Sequence, residues 1–103
     1  MNVCASKPNV GGFALAGERW TFTGELTFED AAVVFEASHA LPLPAAGVVD
    51  LAGLAHADST ALAVMLALKR RAAVEVVALK FATIPPGLHA LAQVYGVEEL
   101  LIA

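Results

Sequence analysis

The chain has 103 residues, of which 58% are hydrophobic and only 16% charged, with a formal charge of -4. That length makes one domain with no room for a separate catalytic module, and the acidic balance excludes a nucleic-acid binder, which needs clustered Lys and Arg. The longest uninterrupted apolar run, Ala61 to Leu68, falls far short of the roughly 20 residues needed to cross a bilayer, so no direct membrane insertion is expected.

The N-terminus, MNVCASKPNVGG, has no basic segment followed by an apolar stretch, so a cytoplasmic chain is expected. Residues 1–10 read as a loose segment whose single cysteine, Cys4, is an incidental thiol. A chain this apolar fills a core and has apolar surface left over, which calls for a partner or for a homodimer.

In chain order, Phe13 to Ala16 and Arg19 to Thr23 read as two strands joined at Gly17-Glu18. Trp20 and Phe22 there alternate with Arg19, Thr21 and Thr23. Thr27 with Asp30 three positions on is a weakened capping box. Phe28, Ala31, Ala32 and Phe35 recur at helical spacing, so a first helix is expected from Phe28 to Ala40. Leu41-Pro42-Leu43-Pro44 stops it, because each proline removes a donor and biases its predecessor to extended geometry. Val48 to Leu51, bounded by Gly47 and Gly53, reads as an inner strand covered on both faces. A helix follows from Ser59, and Val74 to Phe81 is β-branched enough for another strand, so this strand-helix-strand order predicts a parallel pair. Pro85-Pro86 opens a third helix on which Leu88, Leu91, Ala92 and Tyr95 share a face. Gly96 caps its end with Val97 as the accompanying apolar contact, and Glu98 to Ile102 forms one more turn. The architecture expected is a small α/β sheet with helices packed against it.

The chemistry is concentrated in His56-Ala57-Asp58-Ser59-Thr60. His56, Asp58 and Ser59 are the residue types of a hydrolase triad, but a triad needs the histidine between serine and acid, each approached from a different part of the fold. His39, His56 and His89 have no second ligand at metal-binding spacing, and no phosphate-cradling glycine loop occurs, so neither a metal nor a cofactor is expected. His39 and His89 are expected at the surface, and His56 in the loop that presents Asp58.

On a helix, Ala61, Leu62, Val64, Met65, Leu66, Leu68 and Ala72 make a broad arc for burial. Lys69 lies within it and must extend its stem to water. The opposite arc holds Ser59, Ala63, Ala67 and Arg70, with Thr60 at its border. Another protein can approach so small a face closely, with Arg70 as a charged anchor. An ordinary alanine-rich surface gives the same pattern, and residue types alone leave the two open. Lys69-Arg70-Arg71 otherwise read as cations complementing the end of the helix. Asp58 is a helix cap accepting from the amides of Thr60 or Ala61, which leaves the Ser59 hydroxyl outward. A phosphate on Ser59 would meet free amides and set about two negative charges in the docking face, an off switch.

Three stretches together resemble a STAS domain, the module shared by sulfate transporters and anti-sigma-factor antagonists. They are Thr23 to Ala31, Val49-Asp50-Leu51 leading to Asp58-Ser59-Thr60-Ala61-Leu62, and Pro86-Gly87-Leu88 through Tyr95-Gly96-Val97 to Leu101. The resemblance covers nearly the whole chain and implies a mixed sheet of four to five strands with about four helices. In the antagonists the position of Ser59 is the serine phosphorylated by the anti-sigma kinase, but Ala61 stands where they usually have glycine. The small STAS subunit of the Mla phospholipid-transport ABC system is the more similar branch. It carries Asp followed by Thr or Ser before a helix like Leu62 to Arg71, and a tail like Leu91 to Leu101.

That second resemblance implies a subunit without activity of its own. It would bind the ABC ATPase at the cytoplasmic face, peripheral to the inner membrane through its partner. Ser59, Thr60, Ala63, Ala67 and Arg70 would be the contact residues. The alternative it leaves is an anti-sigma-factor antagonist whose partner kinase phosphorylates Ser59, and the enzyme-class alternative is a minimal hydrolase using Ser59.

Overall fold

The computed structural model describes residues 12–101. Residues 1–10 with Cys4, and Ile102 in the last turn, lie outside them. Strands β1 (Gly12–Ala16) and β2 (Arg19–Leu26) precede helix α1 (Ala31–Ser38). The long strand β3 (Val48–Ala57), helix α2 (Ser59–Val74), the short strand β4 (Lys80–Ala82) and helices α3 (Pro86–Val94) and α4 (Glu98–Leu101) follow. The four strands form one sheet in the order β1-β2-β3-β4. The β1-β2 hairpin is antiparallel, pairing Phe13 with Phe22 and Leu15 with Trp20. β2 and β4 each run parallel to β3, as strands joined by helical crossovers must.

Alternation along the strands decides which face is covered. Trp20, Val49 and Phe81 stand beside one another in register, all buried, and with Phe22 and Leu51 they make the floor of the core. Leu62, Met65 and Leu68 of α2, Val34 of α1, Leu88 and Ala92 of α3 and Leu101 of α4 close it from above. Removing such side chains from water stabilises the fold by roughly 1.5–3 kcal/mol each. The next row across the sheet is Thr21, Asp50 and Ala82, and Arg19 pairs with Asp50 at 3.2 Å there. β3 is therefore an inner strand with one buried face and one more open face that carries Val48, Asp50 and Ala52, whereas its run of apolar residues suggested cover on both.

Several boundaries differ from the pattern read in the sequence. β3 continues through Gly53 to Ala57. It does so because Gly53 sits at a shift of register against Thr23, where a Cβ would come within 2.5 Å of the Phe22 carbonyl oxygen. His56 consequently lies in a strand opposite Glu25 and not in a loop. The capping box at Thr27 does not form. Asp30 makes no side-chain cap, α1 starts only at Ala31, and the Thr27 carbonyl turns the chain by accepting from the amides of Asp30 and Ala31.

At the other end of α2, residues 74–79 are not strand. The Arg71–Glu75 pair at 3.0 Å and two alanines carry the helix on to Val74. Val76, at φ 57, then closes it as Val77 donates to the Ala72 carbonyl at 2.8 Å. α3 ends in the same motif with Gly96 at φ 71 and Val97 donating to Ala92 at 2.9 Å, as its sequence announces. Pro86 sits in the first turn of α3, while Tyr95, expected to share a face with Leu88, Leu91 and Ala92, is exposed where Leu88 and Ala92 are buried.

Candidate functional site: the head and outer face of α2

Asp58 holds the start of α2 with both carboxylate oxygens. Oδ1 accepts from the Thr60 amide at 2.9 Å and from the Thr60 hydroxyl, which is the cap the sequence predicts. Oδ2 accepts from the Phe28 amide at 2.9 Å, thirty residues away, a bond that no local pattern announces. The Thr60 hydroxyl lowers the Asp58 carboxyl below its ordinary range most strongly. Partial desolvation opposes the shift, and the amides of Phe28 and Thr60 add to it.

With Asp58 so engaged, Ser59 occupies the first helical position with an exposed side chain. Among the described residues no hydrogen bond joins Ser59 to His56 or to Asp58. The three residue types of a triad are adjacent in sequence without forming a relay.

The outer arc of α2 is open along its length. Ser59, Ala63 and Arg70 are exposed and Thr60 and Ala67 half-buried, while Ala61, Leu62, Val64, Met65 and Leu68 point into the core. Ala61 is fully buried, so the methyl that distinguishes it from glycine packs inside and leaves the outer surface unchanged. On the α1 side, Phe28, Ala31 and Phe35 face Thr60, Ala63 and Ala67 across an open apolar groove of about 340 Å³. On the other side, Ser59, Ala63 and Leu66 face Tyr95 and Val97 across a second hollow of about 280 Å³. Ala63 is the saddle between them. The four predicted contact residues of the outer arc thus share one surface, and Thr60 contributes to it while its hydroxyl serves the cap.

The basic triplet divides by role. The Lys69 ammonium donates to the Leu79 carbonyl at 2.6 Å and stands 5.8 Å from the Phe81 ring centroid, so the half-buried side chain folds back onto the protein. Arg71 donates to the carbonyls of Ser38 at 3.2 Å and Leu41 at 2.7 Å and lies 5.9 Å from the ring centroid of Trp20. The helix end it satisfies is that of α1, not its own. Arg70 remains exposed. Two histidines behave as expected of surface residues: His39 meets the Phe35 carbonyl at 3.0 Å, and His89 pairs with Glu98 at 2.8 Å.

Sequence reasoning missed Phe28, which is 77% exposed at the rim of the groove. Its helical spacing to Ala31 and Phe35 was the available signal; all three line the groove, but Ala31 and Phe35 also pack against the core and Phe28 does not.

A small mixed sheet, a cover of four helices and a crossover helix whose capped head is exposed define the class of an α/β domain with an open helix-side face. Within that class the chain belongs to the STAS domains: the family described as Mlab, STAS domain matches residues 15–102. No curated protein matches the chain. No helix of the described residues is long and apolar enough to cross a membrane.

Proposed function

We propose that this protein is a non-catalytic accessory subunit that binds the ATPase of an Mla-type phospholipid ABC transporter through the head and outer face of α2. The observation that carries the reading is the open arc of Ser59, Ala63, Ala67 and Arg70 flanked by apolar hollows on both sides. Small residues let a partner backbone approach closely, and apolar walls on either side supply the area that a specific contact needs. The description attached to the matching family supports the choice of transport system, and the partner places the chain at the cytoplasmic face of the inner membrane.

Co-purification with the ATPase of the same cell's transporter tests this. Ser59→Glu sets a charge at the head of the helix, and Ala63→Arg fills the saddle between the two hollows. Both variants should fold normally, since both positions are exposed, and both should release the ATPase. Retention at wild-type strength by both would place the contact elsewhere. A second reading is favoured by the exposed first-turn position of Ser59: an anti-sigma-factor antagonist switched by phosphorylation there. An unchanged intact mass after incubation with the cognate kinase removes it.

A further inference from the structure

We infer that Phe28 is the anchor residue of this docking face and that Asp58 is its positioning residue, an inference that rests on the reading of α2 as the ATPase-binding helix. The failed capping box leaves Phe28 outside α1, in a turn closed by the Thr27 carbonyl. There its ring is 77% exposed and walls the groove opposite Ala63 and Ala67. A phenyl ring left this open adds nothing to the core of its own chain. Presented beside a saddle of alanines, it fits a partner that offers an apolar pocket for the ring and a close-packing surface for the saddle. Aromatic residues at the centre of a contact carry a disproportionate share of its binding energy.

The backbone that carries the ring is held in place. Its own backbone amide donates to Asp58 Oδ2 at 2.9 Å, while the other carboxylate oxygen is occupied by the amide and hydroxyl of Thr60. One carboxylate therefore ties the wall of the groove to the head of the helix that forms its floor. Fixing an anchor before contact removes part of the ordering cost of binding.

The substitution that separates these roles is Asp58→Asn. Asparagine is as good a helix cap as aspartate, but its one carbonyl oxygen serves either Thr60 or Phe28, and the amide nitrogen beside it only donates. With that oxygen on the adjacent Thr60 amide, the cap is kept and the tie to Phe28 is lost.

The experiment is a double-mutant cycle, with affinity for the purified transporter ATPase measured by titration calorimetry and stability measured separately by chemical denaturation. Phe28→Ala should weaken binding about 30-fold, the range of a central aromatic anchor, and leave stability nearly unchanged. Asp58→Asn should weaken it about fivefold, consistent with loss of preorganisation, and should add no further loss in the Phe28→Ala background. Wild-type affinity in Phe28→Ala overturns the anchor. Losses that simply add overturn the positioning role. Ala63→Arg, run in parallel, separates the two levels of the argument. If it abolishes binding while Phe28→Ala does not, the α2 reading stands and the anchor falls; if it has no effect, or the wild type does not bind, both fall.

Discussion

At its N-terminal end α2 grips the chain just ahead of α1 through an anion, the Asp58 carboxylate on the Phe28 amide. At its C-terminal end it grips the chain just after α1 through a cation, the Arg71 guanidinium on the carbonyls of Ser38 and Leu41. Between these clamps alanines on both sides, Ala31 and Ala32 facing Ala63 and Ala67, keep the groove between the helices open. Helices fastened at their ends by polar bonds and faced with small residues leave the space between them open. The groove is thus a consequence of where the clamps sit.

The two clamps are not equivalent. Arg71 is partly buried above Trp20; without it the Leu41 carbonyl loses its donor, while the Ser38 carbonyl keeps only the Leu41 amide at 3.1 Å. Asp58 lies nearer to solvent, and its partners are amides and a hydroxyl that water can serve. The first is therefore mainly structural, and the second can be altered without dissolving the fold.

The largest loss is expected from Arg71→Met, which keeps the stem and removes the donors. It should cost about 2–3 kcal/mol, the range for charged hydrogen bonds lost together. Denaturation followed by the emission of Trp20, the single tryptophan, checks it. A loss below about 1 kcal/mol would mean that packing, not the clamp, holds α1.

Asp58→Ala removes cap and tie together and should cost about 1–2 kcal/mol. Its effect should also depend on pH. The folded protein holds this carboxyl below its ordinary range, so its contribution is fully present above the unfolded value of about 3.9 and is lost as pH falls through the lower folded value. Stability curves of wild type and Asp58→Ala should therefore converge in acid and run parallel near neutrality. A constant gap across that window would contradict the assignment.

The smallest effect has the opposite sign. Val76 is 90% exposed in the left-handed conformation that Gly96 adopts in the equivalent motif at the end of α3. Val76→Gly relieves about 1–2 kcal/mol of steric strain against about 0.4–1 kcal/mol of added unfolded-state entropy. A net gain of roughly 0.5–1 kcal/mol follows, readable as a higher denaturation midpoint. A loss would show that the valine side chain contributes contacts that its exposure hides.

The local part of this protein was legible in its sequence because its signals act over a few residues. Alternation around Trp20 and Phe22 gave the hairpin, Asp58 before an apolar helix gave the cap, and Gly96 followed by Val97 gave the end of α3. The outer arc of α2 also followed from 3.6-residue periodicity alone. The errors came where the preceding helix or a distant segment overruled a local preference. β-branched Val74 and Val76 favour a strand, but α2 runs on through Val74 and the turn at Val76 closes it, with Val77 donating to the Ala72 carbonyl. Thr27 and Asp30 favour a capping box, but the Phe28 amide finds Asp58 on another element.

The sequence by itself thus determined the order of elements, the STAS resemblance and which side of α2 faces outward, since each depends on spacing within one segment. Only the tertiary structure decided that Phe28 stands exposed over the alanines of α2 and that Arg71 closes the end of a helix not its own. Both depend on hydrogen bonds between residues thirty or more positions apart, and such bonds form only once the sheet has brought α1 and α2 side by side.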